Sequence, residues 1–196
     1  MIKELEEFAI LHQVPIMDKG GETFLLSLVE ERKVKTILEL GTAIGYTSIN
    51  LCTHFKEIEI DTIERNEEMQ RYAEENILKS GFSDRIHLHK MDTADYISDK
   101  KYDLIIVDDG KVQYAKRFEK FKEYLSDNGC LLFDDMVFRD MIYDLSCTKQ
   151  RSTKRLLKKL IEFRKEIVCK DNYEATFYDK IGDGILIVTR RDNNES

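Results

Sequence analysis

The chain has 196 residues, enough for one sizeable core but too few for two ordinary domains and a linker. It is 42% hydrophobic and 35% charged with a single proline, which excludes collagenous, low-complexity and wholly disordered classes. Lys plus Arg number 31 against 38 for Asp plus Glu, a formal net charge of −7, so bulk attraction to nucleic acid is excluded and any RNA contact must come from a local patch.

The N-terminus reads MIKELEEF, with acids where a secretory signal places its apolar core, and no eighteen apolar residues run together. The expected address is the cytoplasm, with no membrane partner. Ile2, Leu5, Phe8 and Ala9 recur at helical spacing from Met1 to about Gln13, and Val14, Pro15 and Ile16 break that pattern. A second short helix is expected from about Gly21 to Glu31, with Phe24, Leu25 and Leu28 on one face. Residues 1–31 thus read as a helical cover.

An apolar strand runs from Thr36 to Leu40 and stops at Gly41; the segment through Tyr46, Ile49 and Leu51 has helical spacing. A second strand, Ile58 to Ile63, ends at Glu64, and Asn66 is placed to cap a helix with Met69, Tyr72, Ala73 and Ile77 inward that stops near Gly81. Further strands are expected at Arg85–His89, Tyr102–Val107 and Cys130–Phe133, with a helix carrying Tyr114, Phe118 and Phe121 between the last two. The pattern reads as a βα unit repeated five times. A long amphipathic helix, Thr153–Ile167, precedes strands Tyr173–Phe177 and Gly184–Thr189, joined by a turn containing Gly182 and Asp183. Residues 192–196 read as a frayed tail.

Alternating βα units require a mainly parallel sheet with helices on both faces, because parallel strands need right-handed crossovers. The expectation is therefore a single α/β domain over residues 1–196, closed by an antiparallel hairpin. Cys52, Cys130, Cys147 and Cys169 lie far apart without a CxxC pair, so free thiols are expected.

Ligands of open α/β sheets bind beyond the carboxyl ends of the strands. At the first such end, Glu39, Gly41 and Gly45 bracket a tight turn that lets backbone approach a ligand closely; at the second, Glu64 is placed to accept from ribose hydroxyls. Asp92 follows the third strand and faces a base in this reading. The plainer alternative is that the glycines serve only the turn and Glu64 only the next helix. Without a GKS or GKT sequence, S-adenosylmethionine fits better than a nucleoside triphosphate. The fourth strand ends in Asp108 and Asp109, the fifth in Asp134 and Asp135. Adjacent strands are about 4.8 Å apart, so these acids meet at one rim; oxygen-only ligands favour Mg²⁺ or Ca²⁺ over Zn²⁺. Neighbouring strand residues point to opposite faces, so one of Asp134 and Asp135 stands as a bystander unless the strand ends between them.

The segments PIMDK at Pro15, LELGTAIGYTSI at Leu38, TIERNEE at Thr62, DLIIVDDGKVQY at Asp103, LLFDDMVFRD at Leu131 and IGDGILIV at Ile181 resemble the metal-dependent O-methyltransferases related to catechol and caffeoyl-CoA methyltransferases. Within that group the likeness is greatest to bacterial tRNA 5-hydroxyuridine methyltransferases. The resemblance implies a Rossmann-like class I methyltransferase fold with a seven-stranded sheet. It also implies S-adenosylmethionine and Mg²⁺ as cofactors, with Ca²⁺ or Mn²⁺ as alternatives, and a tRNA anticodon loop and a second copy of the chain as partners. The implied reaction methylates wobble 5-hydroxyuridine to 5-methoxyuridine.

By position, the resemblance makes Asp108, Asp134 and Asp135 metal ligands and places Met17, Glu39, Gly41, Gly45, Tyr46, Thr47, Glu64, Asp92 and Asp108 around the cofactor. Asp108 and Lys111 are then the catalytic pair, Lys111 as a base or an electrostatic clamp, and Tyr114 stands near the substrate. Asp135 and Asp109 depart from the usual Asn and Ala, surrounding the ion with extra charge.

Positive charge gathers at Lys149, Arg151, Lys154, Arg155, Lys158, Lys159, Arg164 and Lys165, interleaved with apolar residues. Arg151, Lys154, Arg155 and Arg139 are candidate RNA contacts; the alternative is a solvated amphipathic helix. His87 and His89 share a strand face and read as structural. A small-molecule methyltransferase for catechol-like diols and a non-catalytic binding protein are the other function classes considered.

Overall fold

In the computed structural model, residues 1–191 are described, and the tail expected at 192–196 lies outside the described residues. Two helices come first, α1 (Ile2–His12) and α2 (Lys19–Arg32). The alternating part runs β1 (Thr36–Leu40), α3 (Tyr46–His54), β2 (Glu59–Glu64), α4 (Glu67–Ser80), β3 (Ile86–Lys90), β4 (Tyr102–Val107), α5 (Tyr114–Phe121) and β5 (Leu125–Phe133). It closes with α6 (Arg151–Ile167), β6 (Tyr173–Tyr178) and β7 (Ile185–Arg190). The seven strands form one sheet in the order β3-β2-β1-β4-β5-β7-β6. β1 to β5 pair in parallel, whereas β7 runs antiparallel to both β5 and β6. This is the seven-stranded class I methyltransferase sheet that the resemblance implies.

Strand residues alternate between two apolar layers. Ile37, Ile60, Leu104 and Ile106 pack with residues of α1 to α4, while Leu38, Leu40, Ile105, Val107 and Leu131 pack with α5 and α6. Helix caps follow from the sequence as expected at α4, where the Asn66 side chain accepts from the N–H groups of Glu68 and Met69 and Gly81 ends the helix with positive φ. No helix among the described residues crosses a membrane, none being long and apolar enough. All four cysteines are free, Cys52 and Cys130 in the interior and Cys147 and Cys169 exposed.

Two expectations need correction. No helix joins β3 to β4: the connection turns on itself, with the N–H of Ala94 donating to Asp92 Oδ1 at 2.8 Å and that of Asp95 to Asp92 O at 2.9 Å. Asp92, Asp95, Ser98 and Asp99 favour such turns over a helix interior, so four βα units, not five, carry a helix. The polar side chains that would lie beneath a fifth helix satisfy one another instead. Asp61 Oδ1 lies 2.7 Å from His89 Nε2, and Oδ2 accepts from Lys100 at 2.8 Å and Tyr102 at 3.0 Å. Second, β5 begins at Leu125 rather than at Cys130, because Leu125 pairs with Tyr102 across a register shift. A side chain at Gly129 would come within 2.7 Å of the Tyr102 carbonyl, so only glycine lets the chain pass there.

Asp18 joins the two ends of the chain. Its Oδ1 caps α2 by accepting from the N–H groups of Gly20 (2.7 Å) and Gly21 (3.1 Å), and Oδ2 accepts from Asp183 N–H at 3.2 Å in the β6–β7 turn. Asp18→Ala is expected to lower unfolding free energy by about 1 kcal/mol or slightly more in urea denaturation, with Asp18→Asn keeping most of the cap; an unchanged midpoint contradicts this assignment.

Candidate active site

β1, β2, β4 and β5 all end at one edge of the sheet, and a cleft of about 370 Å³ opens there, lined by Gly41, Glu64, Thr93, Asp108, Asp109, Lys111 and Arg117 among others. Its back wall is the turn after β1. Gly41 and Thr42 both donate backbone N–H groups to the Ile63 carbonyl, at 3.0 and 3.2 Å, which carries the β1–β2 pairing past the strand. Gly41 has φ +101°, and a Cβ there would stand 3.0 Å from the Asp108 carbonyl. Glu64 holds the same turn: Oε2 accepts from Ala43 N–H at 2.9 Å and Oε1 from Asn66 N–H at 2.8 Å. Each oxygen keeps a lone pair for a further donor.

Glu39 lies beneath this wall, buried, with Oε2 accepting from Ser48 at 2.6 Å and Thr62 at 2.5 Å. Burial pushes its carboxyl up to about 7; the hydroxyls of Ser48 and Thr62 oppose the shift and the Glu64 charge adds to it.

The far side of the cleft is acidic. Asp108 is 38% exposed to the cleft yet walled by protein, and desolvation pushes it up to about 6, with Lys111 opposing and Glu39 and Asp135 reinforcing. Asp134 is buried and pushed up to about 7 by desolvation and then by the Asp108 charge. β5 ends at Phe133, so both acids that follow can turn to the same side. Asp135 has φ +57°, and its N–H donates to Asp134 Oδ1 at 2.8 Å. Asp135 Oδ2 pairs with Lys111 Nζ at 2.8 Å, and Lys111 stands 4.0 Å from Asp108 Oδ1. Desolvation pulls the Lys111 ammonium down, but Asp108 and Asp135 outweigh it and hold the group above the ordinary lysine value.

Among the described residues, no three His, Cys, Asp or Glu side chains stand together closely enough to hold a metal ion. The donor chemistry nevertheless fits a hard cation: three carboxylates face one ammonium, and Asp135 Oδ1 is the one buried side-chain oxygen or nitrogen without a hydrogen-bond partner among the described residues.

The push on the Asp108 carboxyl from Glu39 and Asp135 exceeds that from Asp109. Arg117 takes it, with Nε 2.9 Å from both carboxylate oxygens and the guanidinium 2.6 Å from Oδ2, and Thr93 donates to it at 2.5 Å. The expected extra charge therefore comes chiefly from Asp135. Sequence reasoning passed over Arg117. Its signal was a cation on the apolar stripe of α5, with Tyr114, Phe118 and Phe121.

Other candidates lie further off. Met17, Tyr46 and Thr47 line a separate small cavity of about 10 Å³ between α2 and α3. The Tyr46 hydroxyl is 2.6 Å from Glu22 Oε2 and 2.9 Å from Glu6 Oε1, and Lys19, paired with Glu6, donates to it at 3.1 Å. Gly45 caps α3 with φ 84°. Asp92 stands beside the cleft, held by Ala94 N–H and facing Arg65 at 3.4 Å and Arg117 at 3.9 Å. Tyr114, expected near substrate, is buried, and its hydroxyl donates to the Asp134 carbonyl at 2.7 Å, so it supports the acidic rim from below. Arg139 follows β5 in a stretch where Phe138, Arg139 and Asp140 all have positive φ. On α6, Leu157, Leu160 and Phe163 are buried; Arg164 pairs with Asp179 and Lys159 with Glu162. Arg151, Lys154 and Arg155 have no carboxylate within 4.0 Å among the described residues.

Residues 1–191 match a family model for O-methyltransferases, and the chain belongs to that family. A protein of Staphylococcus aureus solved as a candidate caffeoyl-CoA O-methyltransferase superposes with a TM-score of 0.92 at 30% identity, covering 97% of this chain and 92% of that one. An O-methyltransferase of Bacillus cereus, solved with SAH, shares the fold at 20% identity and a TM-score of 0.81, covering 97% of this chain and 90% of that one. A tRNA1(Val) (adenine(37)-N6)-methyltransferase of Actinobacillus pleuropneumoniae is 32% identical over 105 residues, 53% of this chain and 44% of that protein. The chain thus spans under half the length of such curated relatives.

The buried acids set a pH dependence. Glu39 holds its proton more tightly folded, near 7, than at its ordinary 4.5, so the native state binds more protons between these values and stability falls as pH rises through them. Its share is on the order of 3 kcal/mol, and Asp108 and Asp134 act in the same direction. Glu39→Gln is expected to flatten the profile and raise the melting temperature at pH 8 more than at pH 4.5; equal shifts at both pH values contradict this.

Proposed function

We propose that the chain is an S-adenosylmethionine- and Mg²⁺-dependent O-methyltransferase that converts 5-hydroxyuridine at the tRNA wobble position to 5-methoxyuridine, working as one catalytic domain. The supporting observation is the continuity of the cleft: one wall, at Gly41 and Glu64, suits a nucleoside, and the opposite wall, at Asp108 and Lys111, suits an ionisable hydroxyl. S-adenosylmethionine supplies an electrophilic methyl group on sulfonium. Glu64 accepts from its ribose hydroxyls, and Gly41 keeps the turn free of side chains where the ligand passes. Arg117 and Thr93 hold Asp109 in place at the cleft wall.

Asp108, Asp134 and Asp135 are the residues that would hold the divalent ion, which supplies Lewis-acid polarisation of two vicinal acceptor oxygens such as O4 and O5 of 5-hydroxyuracil. Lys111, a held cation, would stabilise the oxyanion left when the hydroxyl gives its proton to solvent, and transfer of the methyl to that oxygen leaves S-adenosylhomocysteine. Such a rim suits a hydroxyl better than an exocyclic amine, whose nitrogen does not ionise near neutral pH. Arg151, Lys154 and Arg155 of α6, without an ion-pair partner among the described residues, and Arg139 serve as contacts for anticodon-loop phosphates while the target base leaves the stack. The reading includes a homodimer, for which the exposed Ile10 and Leu11 of α1 provide apolar surface.

A second reading, a small-molecule methyltransferase for vicinal diols, draws on the size of the cleft and on the likeness to the Staphylococcus aureus protein. Incubating purified protein with S-adenosylmethionine, Mg²⁺ and either tRNA containing 5-hydroxyuridine or a catechol separates the two. Methylation of the tRNA is expected; efficient catechol methylation with untouched tRNA refutes the first reading. Lys111→Met is expected to lower turnover by about 100-fold or more, measured as methyl incorporation. Replacing Arg151, Lys154 and Arg155 together by Gln should weaken tRNA binding and shallow its salt dependence with cofactor affinity intact; unchanged tRNA affinity removes the helix from the interface.

A further inference from the structure

Lys111 and Asp135 form a contact that the proposed chemistry does not require in this form. A residue serving only to meet substrate would present its ammonium to the cleft. Lys111 instead reaches back: Nζ is 2.8 Å from Asp135 Oδ2 and 4.0 Å from Asp108 Oδ1, and its side chain is only 19% exposed. Asp135 is shaped to receive it. Its left-handed backbone and the N–H···Oδ1 contact to Asp134 turn the carboxylate toward the lysine, and one oxygen is left buried and unpartnered. A buried carboxylate oxygen without a donor is costly unless a cation faces it.

We propose that Lys111 is a resident stand-in cation: its ammonium occupies the Asp108–Asp134–Asp135 rim, and a divalent ion binds there by displacing it. This rests on the proposed reading of the rim as a metal site and adds a competition that reading does not contain. A monovalent ammonium has three donors and satisfies one Asp135 oxygen, leaving the other bare. A divalent ion brings twice the charge and coordinates several oxygens at once. The exchange therefore favours the metal, but only after the Lys111–Asp135 pair is broken. Displaced from Asp135, the ammonium is freed to turn into the cleft that the Lys111 residue lines. The lysine thus protects the rim from mutual repulsion when no ion is present and is released toward acceptor when one arrives.

The competition has a direction that a simple supporting role does not share. Removing the ammonium takes away both a competitor and a positive charge beside the ion, so Lys111→Met should bind Mn²⁺ at least tenfold more tightly than wild type, measured by calorimetric titration with MnCl₂. Lys111→Arg, which keeps the charge, should bind no more tightly than wild type. In EDTA, Lys111→Met should melt lower than wild type and gain more from added Mn²⁺. Because that variant is expected to be fragile without metal, the wild-type protein supplies an independent readout. With ¹⁵N-labelled lysine, the Lys111 side-chain resonance should shift on titration with diamagnetic MgCl₂, with the same midpoint as calorimetric Mg²⁺ binding. Wild-type binding with no gain in Lys111→Met, or a Lys111 resonance indifferent to Mg²⁺, overturns the stand-in role and leaves the metal reading intact. No divalent binding by either protein overturns both.

Discussion

Parallel strands that end together bring their terminal carboxylates together, and the burden of burying those like charges shapes the whole upper edge of this sheet. Glu39 and Glu64 belong to β1 and β2, and Asp108 and Asp134 follow β4 and β5. Two like charges about 4 Å apart at an effective dielectric near 20 repel by roughly 4 kcal/mol, too much to leave uncompensated in a domain of marginal stability. The chain answers each differently. Ser48 and Thr62 solvate Glu39, backbone N–H groups solvate Glu64, and Arg117 neutralises Asp109. Asp108, Asp134 and Asp135 share one lysine among three, and the proposed chemistry draws on that imbalance.

Several parts distant from the cleft serve to hold this edge in place. Tyr114 anchors the Asp134 backbone from the core, so the rim is positioned by an aromatic cluster with Phe133 and Phe163. α6 covers that cluster with Leu157, Leu160 and Phe163, which connects the basic helix to the same rim through packed side chains. On the opposite side, Asp18 and the Tyr46 hydroxyl fasten the N-terminal helices to the β6–β7 turn and to α3. The cover is tied at both ends beside the cleft.

The sequence made the sheet legible wherever a strand was continuously apolar. β1 and β4, buried on both faces, match their expected limits at both ends. Where local composition and tertiary pairing disagreed, reading failed: β5 starts in a polar stretch because Tyr102 offers it a partner, and the β3–β4 connection lacks the helix that a repeating pattern suggested. The acids of the rim were visible as strand-end pairs. Their partners were not, because Arg117 reaches Asp109 across a turn and Lys111 reaches Asp135 across two strands, and no local spacing encodes either contact. The resemblance places Tyr46 at the cofactor site, and its hydroxyl contacts Glu6, Lys19 and Glu22 of the N-terminal helices.

The candidate cleft lies at the ends of β1, β2, β4 and β5, and the surplus of negative charge there is the feature on which the proposed function turns. The most direct test is anomalous diffraction from crystals grown with MnCl₂ and S-adenosylhomocysteine. The account predicts one manganese peak bounded by Asp108, Asp134 and Asp135, with the nucleoside between Gly41 and Glu64 in the same cleft. A nucleoside bound there with no manganese at the acids, and Lys111 still seated on Asp135, would contradict it.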